Sequence, residues 1–347
     1  MVRLCFWILM GTMIQTSLLG QSTGDSPAYV CPPCGSACDA LVFDKPGTCP
    51  HCNMILVKKN QIKKIAFYLQ DGVEVLDFAG PMEVFSYAGY EVFTVSKTKD
   101  PIKSQGVLKV IPDYSIDDAP KADILAFFGG NAGRAYQDSA VIDWIKGQTE
   151  VKYHFSVCTG AFMLAEAGIL DGMKATTFHN SLNSLEQNYP QIEVLREVRF
   201  VDNGKVITTA GISAGIDGAL HLVAKFQGLN AARRTAFYME YDNWVPGDGL
   251  VLSGDNPYDV AFSGPELAGF VGSYSHKGDG VFELTLNPTD QTLYAKIRGV
   301  NYPIFHEYGD VFTDVEGGEP IYFQRGTDGA ITGYKVEAEG EVFEKLK

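Results

Sequence analysis

The sequence predicts an α/β protein with a parallel sheet covered by helices on both faces, joined to a small cysteine-rich ribbon and an antiparallel, barrel-like β-domain. Three observations lead there. Between residues 62 and 245, short apolar runs alternate with helical stretches, as in buried parallel strands linked by crossover helices. Between residues 28 and 58 lie two Cys-x-x-Cys pairs, in a segment too short to bury a core of its own. From residue 262 to 347, apolar and polar residues alternate between turn residues, the period of half-buried antiparallel strands.

Within the α/β region, Ile65-Ala-Phe-Tyr-Leu69 reads as the first strand, with Gln70-Asp-Gly72 as its turn. Tyr90–Ser96 and Ala122–Phe128 read as the next two strands, the latter ending in Gly129-Gly130-Asn131-Ala132-Gly133. Those glycines form a strand-to-helix turn and not a dinucleotide fingerprint, since the spacing is wrong. Asp77 stands just ahead of Pro81, where it either caps a helix beginning near the proline or serves a site.

The stretch from Tyr153 through Cys158 to Gly168 reads as a buried strand, an abrupt turn at the cysteine and a helix. Thr159 and Gly160 leave room for the turn; Phe162, Met163, Leu164 and Ala167 form an apolar face running to the Gly168 stop. A sulfur beside a helix N-terminus meets partial positive charge and free N–H groups, so Cys158 is expected to be a thiolate nucleophile with a lowered pKa. The arrangement has the form of a nucleophile elbow with Cys in place of Ser. The alternative is a small buried apolar residue.

The words around Cys158, from Ser156-Val-Cys158-Thr-Gly-Ala-Phe-Met-Leu through Ala175-Thr-Thr177, resemble the elbow of the ThiJ/PfpI superfamily. These are flavodoxin-like, class I glutamine-amidotransferase-like proteins, and the likeness is to isonitrile-hydratase-like members and to the sensor domains of some AraC-type regulators. Val206–Leu222 and Ala231–Asp242 resemble the family's second glycine-lined turn and its closing helix. The resemblance implies that Asp77, in Leu76-Asp77-Phe-Ala-Gly80-Pro81, belongs to the active site. It also implies that Gly129 and Gly130 offer N–H groups across from the elbow and that Thr159 helps position a substrate. Many relatives place histidine directly after the two threonines; here Phe178 intervenes and His179 is displaced by one, which puts a Cys–His dyad in doubt. Ser213 and Asp217 either line the pocket or cap the following helix. No helix-turn-helix pair is read after residue 245, which argues against a regulator of AraC type, and the α/β domain is expected to need no cofactor.

Five cysteines fall in the ribbon: Cys31-Pro-Pro-Cys34, Cys38, and Cys49-Pro-His-Cys52. The paired spacing fits a zinc ribbon, with Cys31, Cys34, Cys49 and Cys52 as four thiolate ligands, Cys38 left over and His51 outside the set. Disulfides and transient binding of Cu(I) remain open alternatives. The run from Asp44 through Cys49, Cys52 and Met54 to Val57 resembles the small heavy-metal-binding domain of copper and silver export proteins, which usually has histidine where Cys34 stands.

Residues 1–22 combine Arg3 with an apolar run and read as a cleavable secretory signal, giving an exported, periplasmic or extracellular protein whose membrane contact is limited to that segment. The formal charge is −14, with 17 acidic and 7 basic residues from Pro246 onward, so a nucleic-acid partner is not expected. A small electrophilic molecule as substrate or ligand and a homodimeric assembly are expected. No catalytic cluster is read in the C-terminal domain, which looks like the lipocalin-like β-domain of some secreted hydrolases. Three functions stay open: a cysteine-dependent hydratase or hydrolase, a non-catalytic sensor, and a metal-handling protein.

Overall fold

The computed structural model describes residues 28–32, 36–45, 47, 49–52, 56–59, 63–258, 264–277, 281–288, 292–297, 299–315, 319–336 and 340–346. The signal-like segment and Cys34 lie outside the described residues. No helix among the described residues is long and apolar enough to cross a membrane.

The ribbon is built on three two-residue strands, β1 (Tyr29–Val30), β2 (Val42–Phe43) and β3 (Val57–Lys58). β1 lies in the middle and pairs antiparallel with both others. Its small core is Tyr29, Leu56 and the cysteine sulfurs, so the cysteines are the packing.

The α/β body follows in chain order as β4 (Lys64–Tyr68), α1 (Val75–Tyr87), β5 (Glu91–Ser96), a hairpin of β6 (Ile102–Lys103) and β7 (Lys109–Val110), β8 (Tyr114–Ser115), and β9 (Ile124–Phe127). Next come α2 (Gly133–Tyr136), α3 (Ser139–Gly147), β10 (Tyr153–Val157), α4 (Ala161–Glu166), β11 (Lys174–Ala175), α5 (Leu182–Asn188) and β12 (Glu193–Val194). β13 (Phe200–Asp202), β14 (Val206–Thr209), α6 (Ala214–Gln227), α7 (Leu229–Tyr238) and β15 (Leu250–Val251) complete it. The main sheet runs β15-β13-β14-β10-β9-β4-β5-β8, and every pair is parallel except β13 with β14.

Strand β4 shows why helices cover both faces. Ile65 and Phe67 face the core formed with α1, α6 and α7, while Ala66 and Tyr68 face the core formed with α3, α4 and α5. All four are buried, so the run reads as continuously apolar even though its side chains alternate. The helix containing Asp77 differs from expectation: it begins at Val75, and Pro81 lies inside it. Asp77 is therefore in the first turn and not the cap. Proline here removes only the N–H that would have met the Asp77 carbonyl, a loss confined to one turn.

The C-terminal strands β16 (Gly272–Ser275), β17 (Val281–Asn287), β18 (Thr292–Ile297), β19 (Val300–Tyr308), β20 (Val311–Thr313), β21 (Pro320–Arg325), β22 (Ile331–Lys335) and β23 (Phe343–Lys345) form a closed antiparallel barrel. Closure comes from β23 pairing with β16, which leaves no free sheet edge. Its interior is filled. Phe270, fully buried, packs 4.9 Å from the rings of both Phe312 and Phe323, and the Tyr274 hydroxyl donates to the Phe270 carbonyl at 2.6 Å. The barrel also meets the α/β body, where Arg234 of α7 donates to Thr313 Oγ1 at 3.2 Å. Because Phe270 plugs the barrel, Phe270→Ala is expected to cost about 3–5 kcal/mol of barrel stability. Urea unfolding followed by near-UV circular dichroism measures this, and a loss below about 1 kcal/mol would show that the plug is dispensable.

Candidate active site and metal site

The four adjacent strands β14, β10, β9 and β4 are parallel, so their C-terminal ends open on one edge of the sheet. Ligand sites of open α/β sheets lie along such an edge. Cys158 follows β10 there in a left-handed backbone conformation, φ 58°, before a single 3-10 turn leads into α4. A non-glycine residue held at positive φ costs of order 1–3 kcal/mol and persists only where its surroundings fix it. Three contacts do so. The Cys158 N–H donates to the Ala210 carbonyl at 3.0 Å, Thr177 Oγ1 donates to the Cys158 carbonyl at 2.6 Å, and Gly160 lies so close to the Phe127 backbone that a β-carbon would sit 2.3 Å from its carbonyl oxygen.

Asp77 approaches from α1 and is fully buried. Its Oδ2 accepts from the Gly129 N–H at 2.8 Å and its Oδ1 from the Ile212 N–H at 3.1 Å, and the carboxyl group is in hydrogen-bond contact with the Cys158 sulfur. Gly129 is required by this approach: a β-carbon there would meet Asp77 Oδ2 at 2.7 Å and Cys158 Sγ at 2.8 Å. Gln70 Nε2 pins the same loop by donating to the carbonyls of Phe128 and Gly129 at 3.0 and 2.9 Å.

The electrostatics correct the expectation of a low thiol pKa. Burial first, and the adjacent Asp77 charge second, push the Cys158 thiol up to about 12, although the N–H groups of Thr159 and Ile212 pull the other way by bonding the sulfur. Burial likewise raises Asp77 to about 6 against the lowering effect of its hydrogen bonds. The helix following the elbow is only six residues long, and burial and the Asp77 charge prevail at the sulfur.

The remaining predicted residues divide. Gly129 reaches the site, but its N–H is spent on Asp77, so it is not a free oxyanion donor. Gly130, at φ 84°, has no hydrogen bond on its N–H among the described residues, and its carbonyl accepts weakly from Thr159 Oγ1 at 3.4 Å. His179 is exposed, with its ring tilted at 56° against that of Phe178, centroids 4.3 Å apart. Phe178 covers Gly211, where a β-carbon would lie 2.5 Å from its ring, so phenylalanine occupies the inward place. Ser213 is exposed, stands at the N-cap position of α6 without a side-chain cap hydrogen bond, and accepts from Arg199 at 3.3 Å. Asp217 pairs with Arg199 Nε at 2.7 Å and with the Tyr241 hydroxyl at 3.2 Å. Two residues escaped the sequence reading: Thr177, which holds the elbow carbonyl, and Ile212, at φ 54°, whose N–H serves both Asp77 and the sulfur. The Thr-Thr pair was a usable signal for the first. Nothing in a β-branched residue signals positive φ.

In the ribbon, the sulfurs of Cys31, Cys38, Cys49 and Cys52 all lie within 4.8 Å of one another. His51 is exposed and outside this cluster. The Cys31 and Cys52 sulfurs are 3.2 Å apart, in thiol contact and not bonded as a disulfide. The backbone N–H groups of His51 and Cys52 hydrogen-bond the Cys49 sulfur, as in a metal-binding knuckle. Four sulfurs around a tetrahedral ion with bonds of about 2.3 Å stand about 3.8 Å apart, so the donor set fits a thiophilic metal.

Residues 63–225 match the DJ-1/PfpI family, and residues 28–59 match the heavy metal binding domain. The chain is 34% identical over 188 residues to the isonitrile hydratase of Pseudomonas putida, a match covering 53% of this chain and 81% of that protein. It is 28% identical over 169 residues to the HTH-type transcriptional regulator CdhR of Pseudomonas aeruginosa, covering 47% of this chain and half of the regulator. Among solved structures, a ThiJ/PfpI family protein from Pseudomonas syringae matches at 30% identity and a TM-score of 0.49, over 53% of this chain and 77% of that one. Given a relative of this identity over four-fifths of its length, and a family match over residues 63–225 that includes Cys158, the chain belongs to the DJ-1/PfpI family and carries a heavy metal binding domain at its N-terminal side.

Proposed function

We propose that the α/β domain is a cysteine-dependent hydratase or hydrolase of small carbon electrophiles, with an isonitrile as the substrate favoured by its hydratase relative. The observation that carries this is the buried Asp77 carboxyl group in hydrogen-bond contact with the elbow sulfur of Cys158. As the sulfur attacks the terminal isonitrile carbon, Asp77 takes the thiol proton and passes it to that carbon, forming a thioimidate. Water adds to the same carbon, the C–S bond breaks, the sulfur recovers a proton, and an N-substituted formamide leaves. The Gly130 N–H and the Thr159 hydroxyl are assigned to positioning the substrate.

Sensing without turnover is the second reading. It is favoured by the regulator that aligns over the α/β domain and by the exposed place of His179, which leaves the sulfur without an imidazole partner. For the whole chain we further propose export through the N-terminal segment, a structural zinc in the ribbon with Cu(I) as its competitor, and a dimer. The dimer rests on Val107, Leu108 and Ile111, exposed by 84%, 44% and 72% around the β6–β7 hairpin. That hairpin bonds Gly72 and Val73, which in turn pair with the Gly130 loop. Light scattering should give twice the chain mass, and Val107→Glu with Ile111→Glu should return the monomer; a wild-type monomer at working concentration removes this proposal.

The pH dependence follows from the pair. Asp77 is raised, so its carboxylate forms only as pH climbs through about 6, and Cys158 stays protonated until about 12. Accordingly kcat/KM for an isonitrile should rise with pH through about 6 and stay level between about 7 and 9, where an ordinary thiol would still be ionising. Asp77→Asn should lower turnover at least about 100-fold. The same change should speed alkylation of Cys158 by iodoacetamide near about pH 9, because a like charge beside the sulfur is removed. Turnover unchanged in Asp77→Asn would rule out its proton role, and a wild-type protein inert toward isonitriles, glyoxals and simple amides would leave the sensor.

A further inference from the structure

The paired spacing of the ribbon suggests Cys31, Cys34, Cys49 and Cys52 as ligands. Among the described residues, which do not include Cys34, the structure brings Cys31, Cys38, Cys49 and Cys52 together. We propose that the metal is held by Cys31, Cys38, Cys49 and Cys52, so that the apparently surplus cysteine is a ligand and Cys34 is not needed. This rests on the reading that the ribbon holds a metal ion and specifies which residues do so.

Register pairs Tyr29 with Phe43 and Val30 with Val42, so Cys31 leaves β1 at the same end at which the chain enters β2. Between them, residues 37–40 form a 3-10 turn closed by Asp39 N–H to the Ser36 carbonyl at 3.1 Å and Leu41 N–H to the Cys38 carbonyl at 3.0 Å. That turn delivers Cys38 into hydrogen-bond contact with the Cys31 sulfur, where Cys49 and Cys52 also make contact. Cys49 and Cys52 arrive from the other side, on the segment leading to β3, which pairs with the opposite edge of β1. Cys38 and Cys31 are each 3% exposed, and Cys49 is fully buried. A buried thiol surrounded by three others has little reason to be there except as packing or as a donor, and four mutually close sulfurs close a tetrahedron.

Binding a divalent ion to this set releases four thiol protons and leaves a four-thiolate complex of charge −2, with no open position for a substrate. The chemical class is therefore a resident, borderline-soft divalent ion such as zinc.

The test loads the full chain, reduced and metal-free, with Co(II) under anaerobic conditions and reads the thiolate-to-cobalt charge-transfer and visible d–d bands. Zinc affinity is then measured by competition with a chromophoric chelator. Cys38→Ser should lower the charge-transfer intensity by about a quarter, one thiolate in four, and weaken zinc at least about tenfold. Cys34→Ser should match wild type in both. Should Cys38→Ser fail to fold, Cys38→His keeps a donor and should bind Co(II) with bands shifted to those of three sulfurs and one nitrogen, which a merely packed Cys38 would not produce. Loss of intensity in Cys34→Ser with a wild-type spectrum in Cys38→Ser, or no band shift in Cys38→His, overturns the ligand assignment alone. Wild-type protein that binds neither Co(II) nor zinc overturns the metal reading beneath it.

Discussion

A carboxyl group buried against a thiol is the constraint to which the α/β domain is fitted. Taking Asp77 out of water disfavours its charge, and the cost is offset by hydrogen bonds from the Cys158 side chain and from two backbone N–H groups, those of Gly129 and Ile212, delivered by different strand ends. Those donors fix the loops after β9 and β14. The same demand removes the side chain from residue 129 and holds both Cys158 and Ile212 at positive φ. Two strained residues and one obligatory glycine within a single cluster mark it as a place where local preference yields to chemistry.

The fold was legible because its signals are local. The central parallel strands β4, β5, β9, β10 and β14 announced themselves as short runs and the β-domain by its period of two, whereas the two-residue edge strands β8 and β15 carried no such signal; closure into a barrel required the pairing of β16 with β23, which no local pattern encodes. The site was legible in part. Cys158 and Asp77 were found through the words around them, yet the direction of the thiol's acidity was not, because it depends on burial and on a carboxylate 81 positions away in the chain. His179 lies exposed in a 3-10 turn and not on a strand, while Phe178 takes the place over Gly211, so the strand-face argument drawn from its spacing does not apply.

The ribbon shows the same limit differently. Spacing counts residues between ligands, whereas coordination depends on where a turn delivers a sulfur. Two Cys-x-x-Cys words suffice to recognise a thiolate site, but the 3-10 turn at residues 37–40 decides which sulfurs meet. In a segment whose buried core is little more than Tyr29, Leu56 and cysteine, the ion and the fold are one problem.

The active-site pair is best counted as a single acid. Near neutral pH, Asp77 is mostly ionised and Cys158 holds the proton, so the cluster carries one negative charge and one proton between two buried groups. In the proposed reaction, the carboxylate that makes the thiol reluctant to ionise is also the base that receives its proton, and once protonated it no longer opposes a negative sulfur. The N–H groups of Thr159 and Ile212 already point at that sulfur and stabilise it as charge develops. On that proposal, Cys158 rests as a thiol toward general alkylating agents and attacks only an electrophile that draws sulfur and proton apart together. The proposed reactivity depends on proton transfer within the pair, and a low resting pKa is not required for it.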